Sequence, residues 1–239
     1  MRILLLGYGK MGKTIEQIAL ERGHTIAGKI DIQNRPEMDR LGSDDVDVAI
    51  EFSSPEAAFD NITYCLKKGW PVVSGTTGWL EHRSEIENLC NEQSGAFFYA
   101  SNYSIGVNLF FRLNRQLARM MNSQDYQRSM TEIHHIHKLD APSGTAITLA
   151  EGIVEETESL SGWKLAPEDQ EGYLQIVSKR IGEVPGTHIV RYESAVDAIE
   201  ISHTAHNRAG FALGAVISAE WLSGRNGVFG MDDLLKNLD

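Results

Sequence analysis

This sequence predicts an α/β protein in two parts: a doubly wound parallel sheet first, then a smaller α+β domain built on a mixed sheet. Three observations lead there. Roughly the first hundred residues alternate short apolar strands with helical patterns, the rhythm of βαβ units. A glycine-rich turn separates the first strand from the first helix. After Asn102 the strict alternation stops, and strand-like stretches follow one another.

Five strands are expected in the first part: Arg2 to Leu6, Thr25 to Asp31, Val46 to Phe52, Pro71 to Ser74 and Ala96 to Ala100. Helices separate them near Met11 to Arg22, Pro55 to Lys68 and Trp79 to Gln93. Each strand runs into polar or glycine-rich residues, and in an open parallel sheet the ligand lies across those carboxyl ends. The five exits should therefore form one crevice. The second part opens with a helix from about Gly106 to Met121. Strands are expected at Tyr126 to His137, Leu174 to Arg180, Thr187 to Tyr192 and Ala198 to Thr204, with a helix from Thr145 to Glu158 and a long loop from Ser159 to Gly172. Two closing helices, Phe211 to Leu222 and Asp232 to Leu238, could return to the first part. The crossings near Asn102 and Asn207 are candidate hinges, and Arg208 could reach a substrate or pair with an acid.

Gly7, Gly9 and Gly12 form GxGxxG between a strand and a helix, the context in which that pattern has physical meaning. Glycine permits the tight turn and close backbone approach, and the helix N-terminus offers free N–H groups to a pyrophosphate. Tyr8, Lys10 and Met11 complete the turn. Asp31, at the end of the second strand, is placed to accept hydrogen bonds from ribose hydroxyls and would repel a 2′-phosphate. NADH is therefore favoured as the cofactor, while Lys10, Lys13 and Arg35 leave room for NADPH. Gly75, Thr76 and Thr77 follow the fourth strand, and Ala100, Ser101, Asn102 and Tyr103 the fifth. These small and hydroxyl residues could approach a nicotinamide, although a plain βα turn has similar composition.

A formal charge of −11 over 239 residues argues against general affinity for nucleic acid or anionic membrane. A small-molecule partner fits better, and an anionic one needs a local basic pocket. Cys65 and Cys90 are too few and too scattered for a disulfide framework or a zinc site, so a reducing cytoplasm is the expected location. The opening MRILLLGYG reads as strand and turn rather than export signal, and no run approaches the ~20 apolar residues of a membrane helix.

The basic pocket is expected in Glu132-Ile133-His134-His135-Ile136-His137-Lys138-Leu139-Asp140-Ala141-Pro142-Ser143-Gly144-Thr145-Ala146. On a strand, Glu132, His134 and Lys138 share one face, with His135 and His137 on the other. The chain must leave strand geometry near Lys138, where Asp-Ala-Pro signals a turn. Ser143 is a candidate N-cap, and the N–H groups behind it make a carboxylate site that Gly144 keeps open and Lys138 supplements with positive charge. Histidine can deliver a proton to a substrate that receives hydride. A zinc site is the weaker reading, because HHxH lacks the helical HExxH arrangement.

EIHHIHKLDAPSGTA resembles the signature of the dihydrodipicolinate reductase family, and GYGKMG, SGTTGW, ASNYSIGVN and VPGTH resemble further segments of that family in the same order. The resemblance spans most of the chain. It implies that His134 acts as general acid or proton relay, that Lys138 is a second proton donor and anchor, and that His135, Gly144 and Thr145 bind substrate carboxylates. It also implies NAD(P)H binding by Gly7 to Gly12, Asp31, Gly75 to Thr77 and Ala100 to Tyr103. The implied reaction reduces 4-hydroxy-tetrahydrodipicolinate to tetrahydrodipicolinate, with loss of water, on the way to diaminopimelate and lysine. The implied organisation is a Rossmann-like dinucleotide domain, residues 1–104 and 208–239, and a substrate-binding and oligomerisation domain, residues 105–207, in a homotetramer. Three departures bear on cofactor choice. The glycine turn is one residue shorter than the family's GxxGxMG, the connection Ile32 to Asp45 is short, and Ile32 stands where NADPH users often carry arginine.

Two rivals are weaker. A semialdehyde dehydrogenase on the same plan needs a reactive cysteine near the nicotinamide, and Cys65 and Cys90 fall mid-helix. A dinucleotide sensor without catalysis would have lost a proton donor or a carboxylate anchor, yet His134, Lys138, Gly144 and Thr145 are all present.

Overall fold

The computed structural model describes residues 1–207 and 209–236, and within it the chain divides into two compact units, 1–105 with 209–239 and 106–208. Arg208 and the end of the expected last helix, Leu238, lie outside the described residues.

The first unit opens with β1 (Arg2–Leu6), α1 (Lys10–Glu21), β2 (Thr25–Ile30), β3 (Val48–Glu51), α2 (Pro55–Lys67), β4 (Val72–Ser74), α3 (Arg83–Glu92) and β5 (Ala96–Tyr99). These strands are short apolar runs because both of their faces are covered. Alternate residues serve opposite faces: Ile3 and Leu5 pack with Ile15 and Ala19 of α1, whereas Leu4 and Leu6 join the cluster of Ile62 and Cys65 from α2 and Cys90 from α3. Full burial of each such leucine or isoleucine stabilises the fold by roughly 1.5–3 kcal/mol. Between β2 and β3 the connection is two 3-10 turns, and Pro55 at the first position of α2 supplies a fixed φ where no backbone donor is needed.

The second unit is reached through α4 (Ile105–Met121) and contains β6 (Gln127–His134), α5 (Gly144–Glu155), β7 (Gly162–Leu165), β8 (Tyr173–Arg180), β9 (Gly186–Glu193) and β10 (Ala198–Ala205). Its sheet runs in the order β10-β9-β6-β8-β7. The sheet is mixed: β9 is antiparallel to both β10 and β6, and β8 is parallel to both β6 and β7. One face packs Met130, Ile176, Val190 and Tyr192 against Phe110 of α4 and Leu149 and Ile153 of α5. The segment expected as a long loop, Ser159 to Gly172, holds β7, a four-residue strand stabilised by pairing with β8.

The chain returns to the first unit with α6 (Ala209–Leu222), β11 (Gly227–Phe229) and α7 (Met231–Leu235). β11 pairs with β5 and makes a sixth parallel strand, in the order β11-β5-β4-β3-β1-β2. The chain leaves β1 for β2 on one side and returns to β3 on the other. That topological switch lies at the carboxyl end of β1, where a doubly wound sheet opens its ligand crevice.

Candidate active site

The turn after β1 is shaped by what glycine lacks. Gly7 has φ +92°, its N–H donates to Ile30 O at 2.8 Å, and a Cβ there would lie 2.0 Å from Phe52 O. A Cβ at Gly12 would lie 2.2 Å from Gly7 O, so α1 can approach the turn only without a side chain at that position. Gly9 differs, because nothing lies within 4 Å of where its Cβ would be. It is the N-cap of α1, without a capping side chain or an acidic residue in the first turn, so the leading N–H groups of the helix face open space.

That space is a cleft of about 830 Å³ whose walls include Gly7, Gly9, Asp31, Arg35, Phe52 and Ser53. Asp31 is exposed, and its Oδ1 accepts from Gln33 N at 2.8 Å, which holds the carboxylate at the rim. The Arg35 guanidinium stacks 4.7 Å from the Tyr64 ring. Lys10 and Lys13 do not line the cleft; Lys13 lies over the Tyr8 ring, whose hydroxyl donates to Glu16. Met11 packs partly against the core.

Residues 75–77 and 100–103 are not among the walls. Gly75 backs onto Phe52, whose ring a Cβ there would meet at 2.3 Å. Thr76 is buried, and its hydroxyl donates to Glu51 at 2.8 Å. Glu51 is wholly buried and also accepts from Ser53 N at 2.9 Å, from Ser74 Oγ at 2.7 Å and from Ser53 Oγ. Tyr103 is a core residue, with its hydroxyl donating to Ser74 O at 2.7 Å. Its apolar ring is enclosed by Phe52 and Phe98, and burial pushes the phenol well above its usual range. Thr77 and Ser101 are exposed, and Asn102 accepts from Ser104 N.

In the second unit the polar cluster is organised by strand register. Glu132 of β6 stands opposite Ser178 on β8 and His188 on β9, and His134 stands opposite Arg180. Glu132 is wholly buried, and its carboxylate accepts from Ser178 Oγ at 2.8 Å, Arg180 Nη2 at 3.2 Å and Ser143 N at 3.1 Å. Its Oε2 also lies 3.2 Å from His134 Nδ1, an ion-pair distance without the alignment of a hydrogen bond. Burial opposes ionisation of Glu132, but His134, Ser143 and Ser178 outweigh it and hold the carboxyl well below its ordinary range. Glu132, His134 and His188 present ligand atoms within 4.8 Å of one another, a spacing also suited to a metal ion. The Arg180 guanidinium on the same carboxylate favours an organised proton site instead, because it already supplies the positive charge that a cation would bring.

The chain leaves strand geometry directly after His134, earlier than expected, so the three clustered histidines part company. His134 is buried, whereas His137 is exposed and pairs loosely with Glu183 at 3.6 Å. His135 keeps a buried Nδ1 without a hydrogen-bond partner among the described residues. Lys138 donates to both carboxylate oxygens of Asp140, at 2.7 and 2.9 Å. Arg180 ties this loop down by donating to the carbonyls of Asp140 and, at 3.3 Å, Lys138.

The loop ends at Ser143, the N-cap of α5, whose Oγ accepts from Ala146 N at 3.2 Å. Gly144 is exposed, nothing lies within 4 Å of its missing Cβ, and no acid occupies the first turn. The N–H groups around Gly144 and Thr145 therefore offer positive potential without a competing side chain. Arg180, Ser178 and His188 were not singled out in the sequence; strand register brings them to the cluster, and no local motif announces that register.

Comparison with known proteins agrees with this architecture. The sequence profile of the dihydrodipicolinate reductase N-terminus matches residues 1–103, and that of the dihydrodipicolinate reductase C-terminus matches residues 106–235. A 4-hydroxy-tetrahydrodipicolinate reductase of Christiangramia forsetii is 52% identical, over 100% of this chain and 99% of its own. Among solved structures, a dipicolinate-bound dihydrodipicolinate reductase from Paenisporosarcina sp. TG-14 superposes with a TM-score of 0.81 at 21% identity, covering 98% of this chain and 100% of that one. A probable dehydrogenase from Thermotoga maritima shares the fold more distantly, with a TM-score of 0.57 at 11% identity, covering 98% and 92%. With both halves matched by its profiles and a full-length relative at 52% identity, the chain belongs to the dihydrodipicolinate reductase family.

Proposed function

We propose that this protein reduces 4-hydroxy-tetrahydrodipicolinate to tetrahydrodipicolinate, using NAD(P)H, in the route to diaminopimelate and lysine. One observation carries the reading: a buried histidine braced by a carboxylate stands in the same polar cluster as the bare N-terminus of a helix. That combination offers a proton and a carboxylate anchor. The first unit takes the dinucleotide and the second the substrate. A pyrophosphate fits the first unit, because the space a Gly9 side chain would fill is open and lined by free N–H groups.

When bound, the reduced nicotinamide supplies the hydride; one proton also enters and one water leaves. His134 serves as general acid or relay, with Glu132 bracing its Nδ1 side. Lys138, held by Asp140, serves as second proton donor and anchor once substrate carboxylate replaces that partner. The N–H groups at Gly144 and Thr145, with the His135 side chain on the loop that leads to them from β6, hold the carboxylates.

NADH is the preferred cofactor, because Asp31 lines the cleft and would repel a 2′-phosphate. Arg35 on the same cleft supports use of NADPH as the second choice. The exposed edge strand β10 supports assembly through the second unit as a homotetramer, and two free buried cysteines suit the cytoplasm.

The test is oxidation of NADH and NADPH, followed by absorbance, while a coupling enzyme generates the unstable substrate in place. Substrate-dependent oxidation with a higher kcat/KM for NADH is expected. Lys138→Ala should lower kcat by about a hundredfold or more while NADH affinity stays within twofold. Absence of substrate-dependent oxidation overturns the reaction, and tenfold better use of NADPH overturns the cofactor preference.

A further inference from the structure

The second unit buries a carboxylate that the proton-transfer steps above do not consume. Glu132 is fully enclosed, yet it gathers four partners from three parts of the unit: His134 on its own strand, Ser178 and Arg180 on β8, and the backbone of Ser143 at the head of α5. A lone buried carboxylate is costly, and one satisfied this fully is stable only while its partners stay in place. Three of these partners lead to a working part. His134 is the proposed proton donor, Ser143 sets the position of the anion-binding helix end, and Arg180 reaches on to the carbonyls of Lys138 and Asp140.

We infer that Glu132 is the positioning residue of the site, one carboxylate that sets His134, the Lys138 loop and the N-terminus of α5 in mutual register. The inference rests on the proposed roles of His134 and Lys138. Glu132 acts through those groups without touching substrate. Its carboxylate stands 3.2 Å from His134 Nδ1 and so fixes that side of the ring. The groups facing His134 are Glu132 on β6, His188 on β9 with ring centroids 5.2 Å apart, and the backbone at Gly186, where a Cβ would sit 3.0 Å from Nε2. Arg180 shares Glu132 with it, and Lys138 and Asp140 lie on the loop that Arg180 holds.

The experiment compares Glu132→Gln, Ser178→Ala, His134→Gln and the double variant E132Q/H134Q in the full chain. kcat and KM are measured across pH, with NADH affinity by fluorescence and fold by circular dichroism. E132Q is expected to lower kcat about thirtyfold or more at neutral pH, with the KM for NADH and the NADH affinity both within twofold. In the H134Q background the same change should cost less than in the wild type, because one of the three groups it positions is already gone and only the Lys138 loop and α5 remain to be displaced. S178A removes one donor and no charge; it should fold normally and lower kcat by about three- to tenfold, so it carries the test if E132Q does not fold. Unchanged kcat in S178A or E132Q, or an equal loss from E132Q with and without His134, overturns the inference. Wild-type turnover in H134Q alone overturns the parent reading and this one with it, and that arm distinguishes the two failures.

Discussion

The Ser143 hydroxyl lies 3.2 Å from His188 Nε2 while it accepts the Ala146 N–H at the same distance. The hydroxyl keeps its proton and a second lone pair for this contact, so either tautomer of a neutral His188 ring satisfies it. Burial accounts for the neutral ring by pushing His188 down to about 4, with neighbouring His134 acting in the same direction.

A neutral buried histidine makes stability depend on pH. The folded chain takes up this proton near 4 and the unfolded chain near 6.5, so between those values the unfolded state holds more protons. Stability contributed by His188 is present above 6.5 and is lost as pH falls toward 4, up to about 3 kcal/mol. His203, also lowered by burial, adds to the same window. Urea midpoints from pH 7 to 4.5 should fall in the wild type and fall less steeply in His188→Gln. Parallel slopes would show that His188 is not the group responsible.

Gly7 and Gly9 should fail in opposite ways. Gly7→Ala meets Phe52 O and a φ of +92°, costing roughly 1–3 kcal/mol in backbone strain before the clash is relieved. Gly9→Ala meets nothing in the protein but protrudes where a pyrophosphate would lie. Thermal unfolding should fall markedly for the first and shift by no more than about 2 °C for the second, within the small effect of an unstrained exposed change. NADH affinity should drop about tenfold or more for Gly9→Ala, about 1.4 kcal/mol in binding. Unchanged affinity would place the dinucleotide elsewhere.

Glu51 is the first unit's counterpart of Glu132, with hydroxyl and backbone donors in place of a cation. Glu51→Ala strands those donors in the core and should cost about 3 kcal/mol or more, as one buried unpaired polar group already costs about 1–3. Glu51→Gln can still accept with one oxygen and should cost less. Urea midpoints for the two variants check the order; equal losses would mean that the cavity, and not the unpaired donors, sets the cost.

The parallel sheet was legible because strands covered on both faces leave unbroken apolar runs such as those of β1 and β5. β7 and β11 were not, because strands of four and three residues depend on the neighbours they pair with, and those neighbours are settled by tertiary structure. The same distinction divides the site. Glu132, His134, Lys138 and Ser143 lie within a dozen residues, and their chemistry shows in one segment. Ser178, Arg180 and His188 arrive on β8 and β9, where alternation reveals a strand but not which row faces Glu132. A tyrosine after a strand suits a crevice or a core equally, so the packing of Tyr103 with Phe52 and Phe98 was not legible from its position alone.

His134 has one nitrogen toward Glu132, and the other, Nε2, abuts Gly186, where an added Cβ would stand 3.0 Å from it and 3.3 Å from Cδ2. Contacts that short force a neighbour to move. The ring cannot retreat toward Glu132 without breaking the cluster, so Gly186→Ala should displace the imidazole or cover the nitrogen that gives up the proton. Such a shift acts on the chemical step, since misplacing a catalytic group by about 1 Å can cost on the order of a hundredfold. We expect kcat to fall at least tenfold with NADH affinity unchanged; Gly186 has φ +159°, so the unfolding temperature falls as well, and kcat is compared at a temperature where the variant is fully folded. Turnover equal to wild type would mean that Nε2 of His134 is not the atom from which the proton leaves.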